Sequence, residues 1–252
     1  MLMKAKVLNG YKLHTLDGDI GSAKGFYFDD RYWTIRYLVA NTGNWLTGRK
    51  VLISPYSLNE VSPTAEEISV QLTKAQIEAS PSIDSEKPVS RQFEDSYYGY
   101  YGYPYYWNGP EAWGYYPHPE RDPRKWGATG KNGSEWDSHL RSTHAVTGYH
   151  LLARDGEIGH VEDFVIDDET WAIRYLIVAT TDFWPGKKVL ISPQWIEKVS
   201  WEESEVIVDL SREMIKGAPE YTEGSLPTRD DETGLYGYYN RAGYWVDELL
   251  PV

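Results

Sequence analysis

Six histidines, two aspartate pairs that recur at matching places, two arginines set among aromatics and a run of tyrosines are the side chains of this 252-residue chain that could do chemistry. His14, His118, His139, His144, His150 and His160 would serve as metal ligands or general bases if partners were held beside them. No two of them have the i, i+4 spacing of a helical metal site, although His144, His150 and His160 are free to meet in space. The chain has no cysteine, which excludes disulfides, thiolate nucleophiles and Cys-ligated metals. Asp29-Asp30 and Asp167-Asp168 could act as acid/base carboxylates or cation ligands. Each pair lies between two β-type runs, however, where aspartate serves a turn by hydrogen-bonding nearby backbone amides. The glycines of Asp17-Gly18 and Ile20-Gly21 come without a P-loop lysine or a following helix, so they cradle no phosphate. The expectation is a non-enzymatic protein with no catalytic, cofactor-binding or metal site.

Binding is the other chemistry on offer. Arg36 and Arg174 sit between Trp33, Ile35, Tyr37 and Trp171, Ile173, Tyr175. Strand alternation would turn each arginine away from its Ile and Tyr neighbours, making an Arg-centred contact surface, with Trp33 and Trp171 as candidate contact residues beside it. The opposing reading lays the arginine stem over its own sheet and pairs it with a local carboxylate. The run YYGYYGYPYYWNGPEAWGYYP from Tyr97 is an adhesive low-complexity tract, a stacking platform for sugars or bases, or a structural strap. Tyr98, Tyr100, Tyr101, Tyr106 and Trp107 are its candidate contact residues. Tyr236, Tyr238, Tyr239, Tyr244 and Trp245 stand at corresponding places later in the chain.

That correspondence belongs to a larger repeat. GYKLHTLDGDIGSAKGFYFDDRYWTIRYLVANTGNWLTGRKVLISP from Gly10 returns from Gly148 as GYHLLARDGEIGHVEDFVIDDETWAIRYLIVATTDFWPGKKVLISP, without a gap. Over some 70 positions about 40% are identical, too many for chance in one register. The register runs on through Arg91, Glu94, the YGYY run and Tyr106-Trp107, matched by Arg229, Glu232, Tyr236 to Tyr239 and Tyr244-Trp245. A disordered tract has little reason to hold register, so each arm is expected to pack on a barrel, its own copy's or the other's.

Within each copy the pattern is β. Residues 20–28 and 33–40, with 158–166 and 171–179, are dense in aromatic and β-branched residues and read as hairpins turning at the Asp pairs. Val51 to Ile53 is a buried strand stopped by Ser54-Pro55, and 58–62 with 67–72 supply another pair. Thr73 caps a short helix from Lys74 to Ala79, and Ser211 repeats the arrangement. About six short strands and one brief helix suit a small closed barrel.

In this order, GY…DGxIG…F…DD…IRYL…GxKVLISP…V…L…P, the motifs closely resemble the PRC-barrel family over residues 5–82 and 143–220. The resemblance implies a six-stranded barrel used mainly for protein–protein contact, with no shared catalytic residues to carry over. The chain is accordingly expected to be all-β. It would comprise a first barrel (1–82), an aromatic arm (83–107), a connection (108–142), a second barrel (143–220) and a second arm (221–252).

Charge bears on partners. Residues 1–90 carry about 10 basic and 10 acidic side chains, whereas 144–252 carry about 9 against 21. The acidic half disfavours nucleic acid and favours a basic protein partner, while the near-neutral half could mediate self-association. No apolar run approaches the roughly 20 residues of a spanning helix, and the first nine residues lack an export h-region, so a bacterial cytoplasm is the expected location. The expected function is interaction or scaffolding without a cofactor. The alternative is a small-ligand or carbohydrate-binding protein using the aromatic arms.

Overall fold

The structure, a computed structural model, describes residues 1–43, 45–46, 51–81, 89, 91–106, 140–180, 186–222 and 224–247 (91, 92 and 247 by backbone alone). Trp107, His118, His139 and nearly all of the 108–142 connection lie outside the described residues. The first half runs β1 (Leu2–Lys4), α1 (Ala5–Leu8), β2 (Lys12–Thr15), β3 (Gly18–Asp29), β4 (Thr34–Asn41) and β5 (Val51–Ile53). It continues with β6 (Leu58–Ser62), β7 (Glu67–Val70), α2 (Lys74–Ala79) and α3 (Arg91–Tyr101). The second half runs β8 (Leu140–Ser142), α4 (Thr143–Val146), β9 (His150–Ala153), β10 (Gly156–Asp167), β11 (Ile173–Thr180) and β12 (Lys188–Ile191). After it come β13 (Ile196–Ser200), β14 (Glu205–Val208), α5 (Arg212–Gly217), α6 (Arg229–Tyr238) and α7 (Tyr244–Asp247).

The chain is mostly β and forms two compact units. One comprises Met1 and residues 5–144 and 167–172; the other comprises 2–4, 145–166 and 173–252. In the first unit the strand order is β5-β4-β3-β2-β7-β6, with β8 pairing β3. In the second it is β12-β11-β10-β9-β14-β13, with β1 pairing β10. The β2–β7 and β9–β14 ladders are parallel, and the β3–β4 and β10–β11 hairpins are antiparallel.

Both long hairpins turn at the aspartate pairs. Asp29 Oδ1 accepts the Arg31 amide at 2.9 Å, and Asp167 Oδ1 accepts the Glu169 amide at 3.0 Å, which is the turn chemistry that favours aspartate there. Trp33 and Trp171 complete these turns at φ 51° and 59°, left-handed values that a bulky side chain adopts only where its surroundings hold it. Both indoles are buried, Trp33 stacked on Phe28 at 5.2 Å and Trp171 tilted against Phe26 at 6.2 Å. The short helices start as the caps dictate. Thr73 Oγ1 accepts the Gln76 amide and Ser211 Oγ accepts the Met214 amide, each at 3.2 Å.

The structure departs from the sequence reading in three ways. Each sheet has seven strands, not about six, because the three-residue strands β1 and β8 join the sheets of β10 and β3. Leu2–Lys4 accordingly belong to the second unit and Leu140–Ser142 to the first. The arms contain helices, α3 and α6, where only an aromatic strap had been expected. Gly and Tyr are weak helix formers, so packing rather than propensity sustains these helices.

The third departure concerns the arginines. In the β3–β4 ladder Tyr27 pairs with Tyr37 and Phe28 with Ile35, so Arg36 is the extra residue of a β-bulge. Arg174 is skipped in the same way between Val165–Tyr175 and Ile166–Ile173. A bulge resets the alternation, so that the arginine and the tyrosine after it both reach the arm instead of opposite faces.

Candidate functional site

The feature that both units share, and that gathers most of the candidate residues, is a clasp joining each arm to its own sheet. In the first unit Glu94 on α3 is fully buried and its Oε1 accepts hydrogen bonds from Tyr37 on β4, at 2.8 Å, and from Tyr106 beyond the helix. The Arg36 guanidinium lies 4.2 Å over the Tyr106 ring and donates to Asp29 Oδ2 at 3.2 Å. Arginine is 1% exposed and the aspartate 4%, so their charges are paired out of water. Asp29 thus serves the turn and the arginine together.

The second unit repeats the clasp. Glu232 on α6 accepts from Tyr175 and Tyr244, each at 2.8 Å, and Arg174 lies 4.0 Å over the Tyr244 ring. Arg229 adds an ion pair to the other carboxylate oxygen at 3.0 Å and covers Trp245 at 4.3 Å. Further phenols tie the arms down. The Ser54 amide donates to Tyr97 at 2.9 Å, and Ser192 and Tyr236 hydroxyls meet at 2.9 Å. Tyr100 donates to the Gln76 carbonyl at 3.0 Å and Tyr238 to that of Met214 at 2.8 Å, fastening each arm to the short helix behind the sheet.

Around these bonds the rings form the packing. Tyr37, Leu52, Val89, Tyr97, Tyr98, Tyr106 and Leu140 make one buried cluster, flanked by Phe93, Tyr101, Tyr103 and Tyr105. In the second unit Trp195 lies 4.5 Å from Tyr239 and 5.1 Å from Tyr236, which meets Trp245 at 5.1 Å. Such edge-on and tilted pairs add about 0.5–1.5 kcal/mol each beyond area burial.

Most of the candidate contact surface is therefore interior. Trp33, Arg36, Tyr98, Tyr106, Trp171, Arg174, Tyr236, Tyr239 and Tyr244 are buried. The bulges aim the arginines inward, and the rings fill the arm-to-sheet seams. Tyr101 and Trp245 are half-buried, and Tyr100 and Tyr238 are exposed. Sequence reasoning missed Glu94, Glu232, Tyr37 and Tyr175 as members of the site. The signal was there: an acidic residue matched at constant spacing between aromatic clusters in both copies has something buried to hold.

Burial shifts the phenols. Desolvation, reinforced by the Glu94 charge, holds the Tyr37 hydroxyl well above its ordinary range, and burial pushes Tyr236 up to about 12. An unfolded phenol ionises near 10. Because the folded values are higher, the stabilisation is complete below about pH 10 and is lost as pH climbs through the folded values. We expect the arm tyrosines to ionise in a late, cooperative step, with loss of near-UV circular dichroism. A single tyrosinate titration near pH 10 with that signal intact would contradict a closed clasp.

The histidines lie elsewhere. His14 Nδ1 meets Asp19 and His150 Nδ1 meets Glu157, both at 2.7 Å on the surface. Among the described residues no group of three or more His, Asp or Glu side chains is placed to hold a metal, so His144, His150 and His160 are not gathered into one. No helix among the described residues is long and apolar enough to cross a membrane.

No curated protein matches the chain. The family model of the PRC-barrel domain matches residues 146–215, which run from the end of α4 through β9–β14 into α5. Residues 146–215 are thus similar to the PRC-barrel domain family.

Proposed function

We propose that this chain is a non-enzymatic interaction or scaffolding protein of the bacterial cytoplasm, built by duplication from two PRC-like barrels that each carry a clasped arm. The observation that supports it is the use of the aromatic side chains. Tyr98, Tyr106, Tyr236, Tyr239 and Tyr244 are buried against their own sheets with their rings packed there, and the hydroxyls of Tyr106, Tyr236 and Tyr244 are hydrogen-bonded. This removes the open ring faces that a sugar or nucleobase would stack on and speaks against the ligand-binding alternative. The carboxylates and guanidinium groups of the clasps are likewise spent on their neighbours, which suits cohesion rather than turnover. What stays outside is a surface carrying net negative charge in the second half, suited to a basic protein partner.

The test is affinity purification of the tagged, intact protein from its native host, with mass spectrometry of the co-eluting proteins. We expect a stoichiometric, basic partner at low salt whose recovery falls at moderate salt, because exposed charge pairs are screened within about 10 Å at 0.1 M. A partner held equally at both would refute the electrostatic part. Recovery of the protein alone, or only with itself, would refute the adaptor reading.

A further inference from the structure

The second unit contains a cavity of about 410 Å³ between the end of β12, residues 219–222 with Ser225 and Pro227, and the first turns of α6. Leu190, Tyr221 and Leu235, all buried, form an apolar floor. Glu220, Asp230 and Asp231 stand exposed at the rim. We infer that this cavity receives a single lysine or arginine side chain from a basic segment of a partner protein. The inference rests on the adaptor reading above and gives it a site.

The combination of floor and rim selects the occupant. A long cationic side chain has an aliphatic stem that gains from apolar contact and a charged head that must stay near water or counter-charge. The stem would lie on Leu190, Leu235 and the Tyr221 ring, with the head among the rim carboxylates. A neutral apolar ligand would gain the floor but leave three carboxylates facing it. An anion would be repelled.

The local field supports a cation despite the helix terminus. The α6 N-terminus contributes about half a positive charge, against three rim carboxylates. Asp231 accepts both the Thr228 amide, at 2.8 Å, and the Thr228 hydroxyl, and these bonds hold its carboxyl below the usual range, so it stays ionised. Cations on the surrounding elements are engaged elsewhere, Lys188 among them through its pair with Glu162 at 2.6 Å. Arg229 pairs with Glu232 and covers Tyr244 and Trp245, while Lys187 Nζ donates to the Lys216 and Ala218 carbonyls.

The test uses the intact, isotope-labelled protein and a capped Gly-Lys-Gly-Lys-Gly peptide, beside the same peptide with its lysines acetylated. Saturable amide shifts confined to Thr222, Gly234, Leu235 and their neighbours are expected with the lysine peptide. Acetylation, or the double substitution Glu220→Gln with Asp230→Asn at exposed positions, should weaken binding roughly tenfold. Shifts that fail to saturate, that spread over the whole acidic surface, or that survive the double substitution would overturn the cavity. The same variant separates the two readings in the host purification. A partner recovered with it at the wild-type level would overturn the cavity and leave the adaptor reading standing.

Discussion

Glu94→Ala will loosen the first arm and lower the stability of its unit by about 3–5 kcal/mol, the range for removing one member of a buried, hydrogen-bonded charge cluster. The carboxylate is wholly enclosed and receives the hydroxyls of Tyr37 and Tyr106. Hydrogen bonds to a charged acceptor contribute about 1.5–3 kcal/mol each, and the alanine leaves both phenols facing a space they cannot satisfy. Arg36 keeps Asp29 at 3.2 Å. Hydrogen exchange should show this locally, with α3 amides opening before those of β3 and β4.

Glu94→Gln separates charge from shape. Both phenols donate to the same oxygen, so the amide retains an acceptor for each, and a loss of about 1–2 kcal/mol is expected. Glu232→Ala should behave like Glu94→Ala in the second unit, but more mildly, because its Arg229 partner is about half exposed and returns to water without penalty. A Tyr37→Phe/Glu94→Ala double-mutant cycle gives the coupling directly. If Glu94→Ala shifts neither thermal unfolding nor α3 exchange, the clasp is not what holds the arm.

Much of this fold could be read from residue order. The hairpins, the Val51 to Ile53 strand and the Thr73 and Ser211 caps follow from period-2 patterning and from side chains that hydrogen-bond their own backbone. The bulges could not be read. Alternation assumes an unbroken ladder, and whether Arg36 is skipped depends on the partner strand, which the local sequence does not contain. Strands β1 and β8 are three residues long, too short to carry a period, and their partner β10 or β3 is more than a hundred positions away. The arms were legible as a repeat but not as helices. Their order comes from the hydroxyl of Tyr37 or Tyr175 reaching a carboxylate 57 positions later in both copies, a tertiary fact that only the constant spacing hinted at.

Gly159→Ala should be at least as damaging, for a reason of space rather than charge. A Cβ built on Gly159 falls 2.0 Å from the Ala179 carbonyl oxygen and 2.9 Å from the Thr180 Cα. These atoms are backbone of β11 and cannot rotate aside. To admit the methyl group, β10 and β11 must part where Gly159 faces Thr180 and His160 faces Ala179. That breaks the central hairpin at its crossing with the next strand, with a loss of at least about 3–4 kcal/mol expected. Gly21→Ala should match it, since its Cβ would lie 1.9 Å from the Asn41 oxygen and its φ of +120° adds backbone strain. Gly237, near the end of α6, is the control. Nothing lies within 4 Å of its Cβ position, so the same substitution there should be neutral or stabilising by up to about 1 kcal/mol. Thermal unfolding of the three variants therefore carries opposite signs for one chemical change. Equal, small shifts at all three would mean that the strands do not approach as closely as the register of β3–β4 and β10–β11 requires.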